Sequence, residues 1–195
     1  RAGGGSRLVR TGADASSPLS NVPMPGVAVD VPLHGVQVTD ANGQFVVDIS
    51  APVTASIATL EGRHHEGVTG PAAVNGTWTI SPGVPATIQL LGPGASANAA
   101  AHTTVSWWID RSNEWARAIL GNTPELDLLS DIAVQVNQLG PCSAYYTNNS
   151  LSFHQAGGTC QNTAFSTVIA HEWGHGLDDR YGGVSQTDGL GEGWA

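Results

Sequence analysis

The sequence predicts an α+β fold in which a small antiparallel β-sandwich is followed by a region that combines a sheet with helices. Short apolar segments that alternate with polar residues fill residues 26–91, which is the pattern of half-buried strands. From residue 102 onward apolar residues recur at three- and four-residue steps, which is the period of a helix facing a core. A stretch over 92–101 with the composition of a linker separates the two patterns.

The N-terminal part divides into an arm and a β-module. Residues 1–25 are rich in Gly, Ser and Pro, which predicts a linker or an extended arm. Within the module, Asn42-Gly43 lies between two alternating segments and predicts a hairpin, because both residues tolerate a positive φ. The segment 35–50, GVQVTDANGQFVVDIS, resembles β-modules of the transthyretin-like, carboxypeptidase-regulatory type.

The C-terminal part is predicted to contain two helices and two strands. The order is helix, strand, strand and helix, over residues 105–120, 132–137, 150–155 and 163–177. Gly121 is placed to end the first helix, and Trp115 is expected in its buried face. Asn162 or Thr163 is expected to cap the second helix.

Composition limits the partners of the chain. Seven Arg, no Lys and sixteen acidic residues give a net charge of −9, which argues against nucleic acid as a partner and against a polybasic membrane anchor. Every apolar run is too short to span a bilayer. Cys142 and Cys160 are predicted either to form a disulfide worth about 3 kcal/mol or to remain two unpaired buried thiols.

The second predicted helix contains an HExxH motif, HEWGH, at residues 171–175. Positions i and i+4 lie one turn apart on one helical face, so His171 and His175 can bind the same metal ion. Glu172 is rotated by about 100° from His171 about the helix axis. It is therefore expected beside the metal, where a carboxylate can take a proton from water. A surface helix with two solvated histidines is the alternative, but the apolar run before the motif favours a buried helix.

A catalytic zinc needs a third protein ligand. The HExxHxxGxxH motif, in which a third His is the ligand, is excluded, because this sequence has Asp178 and Tyr181 at the positions of its Gly and last His. Glu192 lies in the segment GEGWA, 17 residues after His175. Together with HEWGH this segment resembles the thermolysin-like and fungalysin-like gluzincin zinc metallopeptidases, whose third ligand lies in a GEGWAD-type motif. Residues 142–179 also resemble the strand, loop and active-site helix of secreted fungalysin-like members.

The resemblance implies that residues 102–195 are the N-terminal part of a gluzincin catalytic domain, its sheet and active-site helix, incomplete at the C-terminus. It implies a Zn²⁺ ion held by His171, His175 and Glu192, with Glu172 as the general base of peptide-bond hydrolysis. A peptide or protein substrate is expected to pair with an edge strand formed by Leu151, Ser152, Phe153, His154 and Gln155. A secreted or cell-envelope endopeptidase is therefore predicted, in association with the remainder of a longer chain or with a larger assembly.

Two alternatives remain open at this point. The chain could be a non-catalytic structural or interaction protein, in which the β-module binds a partner and the peptidase-like half is a metal-stabilised scaffold. His64 and His65 could form a second metal site, although neighbouring strand residues point in opposite directions. His154 is expected to be an ordinary strand histidine rather than a group that faces the cleft.

Overall fold

The computed structural model of the protein describes residues 3–140, 142–184 and 190–195. The strands within these residues are β1 (Gly3–Arg10), β2 (Leu19–Pro23), β3 (Ala28–Val31), β4 (Gly35–Val38), β5 (Gln44–Phe45), β6 (Val53–Ile57), β7 (Leu60–Gly62), β8 (His65–Thr69), β9 (Gly76–Ile80), β10 (Ala86–Leu90), β11 (Ala133–Gln138), β12 (Ala144–Thr147) and β13 (Ser150–His154). The helices are α1 (Ala97–Leu120), α2 (Pro124–Leu129), α3 (Ser166–Arg180) and α4 (Leu190–Trp194). The predicted α+β class is confirmed.

Two sheets form most of the N-terminal half. One is antiparallel, with the strand order β4-β3-β6-β9. In the other, β1 lies between β10, to which it is parallel, and the antiparallel β2, while β5 also pairs with β1. Apolar side chains from this half share one buried cluster, which consists of Met24, Val27, Val29, Val31, Phe45, Val47, Ala55, Ile57, Leu60, Val74, Ile80, Ile88 and Leu90.

Residues 1–25, predicted as a linker or an extended arm, contain the strands β1 and β2, so the segment is extended but belongs to a sheet. Its small residues do not prevent pairing, since the neighbouring strands supply hydrogen bonds to the backbone whatever the side chains are. Arg7 and Val9 on β1 are fully buried. The segment also reaches the C-terminal half: the Trp108 indole N–H donates to the Arg10 carbonyl at 2.8 Å, and the Ser166 hydroxyl donates to the Gly12 carbonyl at 2.9 Å.

The hairpin predicted around Asn42-Gly43 is also wrong. The two residues do lie in a turn, in which the Gly43 N–H donates to the Asp40 carbonyl at 2.9 Å. The strands on either side separate, however, because β4 pairs with β3 whereas β5 pairs with β1. Val36 and Val38 on β4 are consequently exposed, although their alternation predicts a buried face.

A third sheet crosses the predicted boundary between the two halves of the chain. Its strand order is β12-β13-β11-β8-β7, with three parallel strands in the middle and an antiparallel strand at each end. The strands predicted over 132–137 and 150–155 are confirmed as β11 and β13. Strands β7 and β8 belong to the predicted module over 26–91, so this sheet combines residues from both sides of the predicted boundary at 92–101.

Helix α1 packs on this sheet and is longer than predicted. It begins at Ala97, inside the linker expected over 92–101, because the Ser96 hydroxyl caps its first turn. It ends at Gly121, as predicted, with a φ of 80°. Trp115 is 66% exposed, so its expected place in the core is wrong.

Cys142 and Cys160 form a disulfide, with a Cα–Cα distance of 5.3 Å. This confirms one of the two alternatives left open by the sequence. The bond joins the loop before β12 to the loop after β13, so it closes the β-hairpin formed by these two strands. Among the described residues, no helix has both the length and the apolar character needed to cross a membrane.

Candidate metal centre

Helix α3 carries the HExxH motif and is anchored by its apolar face. Ile169 and Trp173 are buried in the core beside the five-stranded sheet. The helix begins three residues later than predicted, with Phe165 at the N-cap position and no side-chain hydrogen bond there. The caps predicted at Asn162 or Thr163 are therefore wrong. Asn162 instead accepts a hydrogen bond, at 2.9 Å, from the backbone N–H two residues further on, so it shapes the entry to the helix.

His171, His175 and Glu192 converge in space and are named here the His-His-Glu cluster. The Nε2 atoms of the two histidines lie 3.2 Å apart. Glu192 Oε2 lies 3.2 Å from His171 Nε2 and 3.6 Å from His175 Nε2. Ligand atoms bound about 2.0–2.2 Å from a tetrahedral zinc stand about 3.3–3.5 Å from one another. The cluster thus has the spacing and the donor atoms that could hold a divalent metal ion.

Gly174 explains how Glu192 reaches helix α3. A Cβ atom at Gly174 would lie 2.8 Å from the Ala195 backbone oxygen and 3.0 Å from its Cα atom, which is too close for a side chain. Glycine in a helix interior is destabilising by roughly 0.5–1 kcal/mol relative to alanine, so it needs a packing reason. Here the reason is the close approach of α4, which brings the carboxylate of Glu192 to the two histidines.

Glu172 lies beside the cluster and is nearly buried, with 7% of its surface exposed. Its position follows from the rotation of about 100° per residue along α3. Burial raises the pKa of the Glu172 carboxyl, as does the charge of Glu192 to a smaller extent. His171, His175 and the Tyr146 backbone N–H act in the opposite direction and lower that pKa. The balance is a raised pKa, so this carboxylate holds a proton more firmly than an ordinary glutamate does.

Strand β12 forms the edge of the five-stranded sheet next to helix α3. The His154 N–H donates to the Ser143 carbonyl at 3.1 Å, which makes these two residues a hydrogen-bonded pair. Such pairs alternate along antiparallel strands, so the backbone N–H and C=O groups of Ala144 and Tyr146 point away from β13. These polar groups therefore face the space between β12 and α3.

The edge strand predicted at Leu151, Ser152, Phe153, His154 and Gln155 is wrong. Strand β13 lies between β12 and β11 and pairs with both, so its backbone has no free side. Leu151 and Phe153 are fully buried. The sequence does not show this because β12 and β13 form a hairpin, and only the order of strands in the sheet decides which of the two lies outside.

A cleft of about 540 Å³ lies between β12 and α3. It is lined by Ala144, Tyr145, Tyr146, His171, Glu172, His175, Asp178, Asp179, Gly183, Val184 and Glu192. Four of these residues carry carboxyl groups, and none is Lys or Arg. The cleft is therefore acidic, and it contains the whole His-His-Glu cluster.

The remaining histidines singled out in the sequence lie elsewhere. His64 Nδ1 is 3.0 Å from the Ser130 hydroxyl, and His65 Nε2 is 2.9 Å from the Ser106 hydroxyl. Both are buried and pair with different hydroxyls, so they do not form a second metal site. His154 does not line the cleft. Within the part of the chain that the structure describes, the His-His-Glu cluster is the one group of three or more such side chains placed to hold a metal ion.

Sequence reasoning missed a buried polar cluster that consists of Arg7, His65, Ser106 and Asp110. Arg7 Nη1 donates to the Ser106 hydroxyl at 2.7 Å, next to His65. Asp110 accepts a hydrogen bond from the His64 backbone N–H at 2.8 Å. These residues come from β1, β8 and α1, so no local pattern in the sequence connects them.

Comparison with known proteins finds no family model that matches the chain and no curated protein that matches it. The geometry of the described residues therefore carries the description of the site. That geometry unites two histidines, a glutamate and a nearly buried second glutamate in an acidic cleft beside the edge of a sheet.

Proposed function

We propose that the protein is a zinc-dependent peptidase that hydrolyses peptide bonds with an activated water molecule. The observation that carries the proposal is the convergence of three ligand atoms, 3.2–3.6 Å apart, beside the nearly buried carboxyl of Glu172. The resemblance of HEWGH and GEGWA to the gluzincin motifs supports the same reaction. The proposal concerns an endopeptidase, since the cleft lies along the edge of a sheet, and the disulfide supports its secretion.

The donor set suits zinc. Two imidazoles and one carboxylate are ligands of catalytic zinc sites, which keep a fourth position open for water or substrate. The side chain of Glu192 is 67% exposed, so the cluster is accessible from the cleft. When bound there, zinc would polarise the scissile carbonyl as a Lewis acid and lower the pKa of water to about 7.

Glu172 is the proton carrier in the proposed reaction. Its carboxylate accepts a proton from the attacking water and then passes it to the amine that leaves when the peptide bond breaks. Burial supports this role, because a raised pKa makes the carboxylate a stronger base and brings its proton affinity closer to neutral pH. His171 and His175 cannot take this role while their Nε2 atoms act as ligands.

Strand β12 is the proposed binding site for the substrate backbone. Extended peptides add to exposed sheet edges through main-chain hydrogen bonds, and side-chain pockets then give specificity. The outward backbone groups of Ala144 and the outward carbonyl of Tyr146 offer such bonds beside Glu172, whose carboxyl accepts from the Tyr146 N–H. A peptide on this edge would lie along the cleft, with one of its carbonyl groups close to the His-His-Glu cluster.

The disulfide supports a location outside the cytosol. Disulfides persist in oxidising compartments and are rare where glutathione and thioredoxin keep thiols reduced. The bond Cys142–Cys160 closes the hairpin that carries β12. We therefore place the peptidase in the extracellular space or in the cell envelope.

Metal content and peptide hydrolysis test the proposal together. The protein is stripped with a chelator, dialysed against zinc and analysed by mass spectrometry, and cleavage of an unstructured protein substrate is followed in parallel. Wild type is expected to bind one zinc per chain and to cleave only when zinc is present. Glu192→Ala is expected to lose zinc, whereas Glu172→Gln keeps zinc and loses cleavage by about 10²–10⁴-fold. His154→Ala lies outside the cleft and serves as the control for substituting a histidine.

The outcomes separate the proposal from its rival. Zinc binding without cleavage in wild type would favour a metal-stabilised scaffold, the interaction protein considered above. The absence of bound zinc in wild type would contradict both the peptidase and the metal-stabilised scaffold, because each depends on the metal. Cleavage that persists in Glu172→Gln would leave the metal site in place but take the proton-carrier role away from this carboxylate.

A further inference from the structure

Tyr146 contacts the active-site helix at a position where that helix has no side chain. A Cβ atom at Gly176 would lie 2.9 Å from Leu129 Cδ1 and 3.0 Å from Tyr146 Cε2, so the glycine makes room for the tyrosine ring as well as for Leu129. Gly176 follows His175 in α3, where glycine carries the same cost of roughly 0.5–1 kcal/mol relative to alanine. The absent side chain lets both β12 and α2 approach the helix closely.

The hydroxyl of Tyr146 makes a second connection to the same helix. It donates to Asp179 Oδ2 at 2.9 Å and accepts from the Asn149 backbone N–H at 3.3 Å. Burial, together with the hydrogen bond to Asp179, raises the pKa of the Tyr146 phenol, which keeps the hydroxyl protonated as a donor. A hydrogen bond to a charged acceptor is the stronger kind, so this contact is suited to fixing a distance.

The three residues of α3 that Tyr146 approaches form one stripe on the helix. Glu172, Gly176 and Asp179 are spaced by four and three residues and therefore lie on one face. Tyr146 faces them with its backbone N–H, its ring and its hydroxyl, in that order. Tyr146 on the edge strand β12 thus contacts α3 at three successive positions along the helix axis.

We infer that Tyr146 and Asp179 are positioning residues, which hold the edge strand β12 at the separation from Glu172 that an extended peptide requires. The inference rests on the proposed function, because it assigns the gap between β12 and α3 to the substrate backbone. Loss of the Tyr146–Asp179 hydrogen bond leaves the His-His-Glu cluster untouched and lets the strand move. The largest effect therefore falls on peptide binding, and metal binding is expected to be unchanged.

Peptide affinity in a variant that cannot turn over tests the inference. An octapeptide with blocked ends is titrated calorimetrically into zinc-loaded Glu172→Gln protein, alone and combined with Tyr146→Phe, Asp179→Ala or both. We expect each single change to weaken binding by about tenfold, the energy of one charge-assisted hydrogen bond. The double change is expected to be no weaker than either single change, because both remove the same contact. Asp179→Asn keeps an acceptor oxygen and is expected to retain most of the affinity.

Tyr181→Phe is the matched control. Its hydroxyl lies 2.7 Å from the Thr123 hydroxyl, just beyond the end of α3 and outside the cleft, so the substitution also removes a tyrosine hydrogen bond. Peptide affinity is expected to remain unchanged, and zinc stoichiometry is expected to be equal in all variants. In protein with Glu172 intact, Tyr146→Phe should raise KM about tenfold and leave kcat within twofold.

Distinct results overturn the inference and the proposed function. Unchanged peptide affinity in Tyr146→Phe, no octapeptide binding in the parent, or strictly additive losses in the double variant would overturn the positioning role. A peptide that binds with the expected pattern but is never cleaved by wild type would leave the positioning role intact and remove the peptidase. Loss of zinc in Tyr146→Phe would show a general structural role instead and would also overturn the inference.

Discussion

The molecule contains two groups of polar side chains that are alike in composition and opposite in surroundings. The His-His-Glu cluster lies open to the cleft, where the Nε2 atoms of its histidines contact one another and a carboxylate whose side chain is 67% exposed. In the buried polar cluster Arg7 is fully buried, and its Nη1, like His65 Nε2, contacts the Ser106 hydroxyl. The ligand atoms of the His-His-Glu cluster converge on a point that is accessible from the cleft. The side chains of the buried polar cluster make their hydrogen bonds to groups inside the fold.

Burial shifts pKa values within and beside the buried polar cluster. Burial lowers the pKa of His65 to about 3 and that of His64 to about 4, and it raises the pKa of Asp110 to about 6. Burial also lowers the pKa of Arg7 to about 10, which still leaves the guanidinium charged at neutral pH. The interior thus disfavours charge at every one of these groups. Convergence of ligand atoms toward solvent, rather than the presence of histidine and carboxylate, distinguishes a candidate metal centre from a structural network.

Zinc should have the largest effect on the free energy of unfolding, and it should act only through the His-His-Glu cluster. A ligand that binds the folded state alone stabilises it by about 4 kcal/mol at a concentration one thousand times its Kd. We therefore expect zinc to raise the free energy of unfolding of wild type by about this amount in urea titrations. His175→Ala should abolish the gain, whereas His65→Gln should keep it. A zinc-dependent gain that survives in His175→Ala would place the metal elsewhere.

Arg7→Met should have the next largest effect, and it should not depend on zinc. The substitution leaves Asp110 and Ser106 buried without their cationic neighbour, and removing one partner from a buried charge network costs about 3 kcal/mol or more. Arg111→Met is the matched control, because this arginine is exposed and packs over the Trp107 ring. The control should cost less than about 1 kcal/mol. Urea unfolding of both variants, with and without zinc, measures the difference.

Acid should destabilise the protein through the buried polar cluster and through the neighbouring His64. His64 and His65 stay neutral in the folded state but take up protons near pH 6.5 when unfolded, so stability falls as the pH drops below 6.5. Asp110 acts in the opposite direction, because its raised pKa lets the folded state bind a proton between about pH 6 and pH 4. His64 and His65 together outweigh Asp110, and we expect these three groups to contribute a net loss of about 2 kcal/mol between pH 7 and pH 5.

Unfolding of the zinc-free protein at a series of pH values measures this loss. His65→Gln should flatten the curve, since it removes one of the two groups that must remain neutral. His34→Gln, at an exposed position, is the matched control and should leave the curve unchanged. A curve of the same steepness in His65→Gln and in wild type would contradict the assignment.

The two clusters also differ in what the sequence could reveal. The helical spacing of His171 and His175 is local, so the HExxH pattern alone places them on one face. The approach of Glu192 depends on Gly174, which is also visible in the sequence, although its contact with Ala195 is not. The sequence supplied these residues because each relation spans a few positions or matches a known motif.

The rest of the site and fold depends on contacts between distant segments. Strand β12, and not β13, is the edge because β13 finds a partner on each side, one of them the parallel strand β11. Arg7 is buried because β1 passes beneath α1, a contact across 99 positions of the chain. The alternation of apolar and polar residues indicates which face of a strand is buried. It does not determine the order in which separate strands pair in a sheet.

The smallest expected effect belongs to the His-His-Glu cluster in the absence of metal. Glu192→Ala in chelator-treated protein should change the free energy of unfolding by less than about 0.5 kcal/mol, the range of ordinary surface substitutions. Its carboxylate is mostly exposed, so water replaces the contact with His171. The same substitution in zinc should remove the entire gain of about 4 kcal/mol predicted above. If Glu192→Ala lowers the free energy of unfolding by 1 kcal/mol or more without metal, the His-His-Glu cluster stabilises the fold by itself, as the buried polar cluster does.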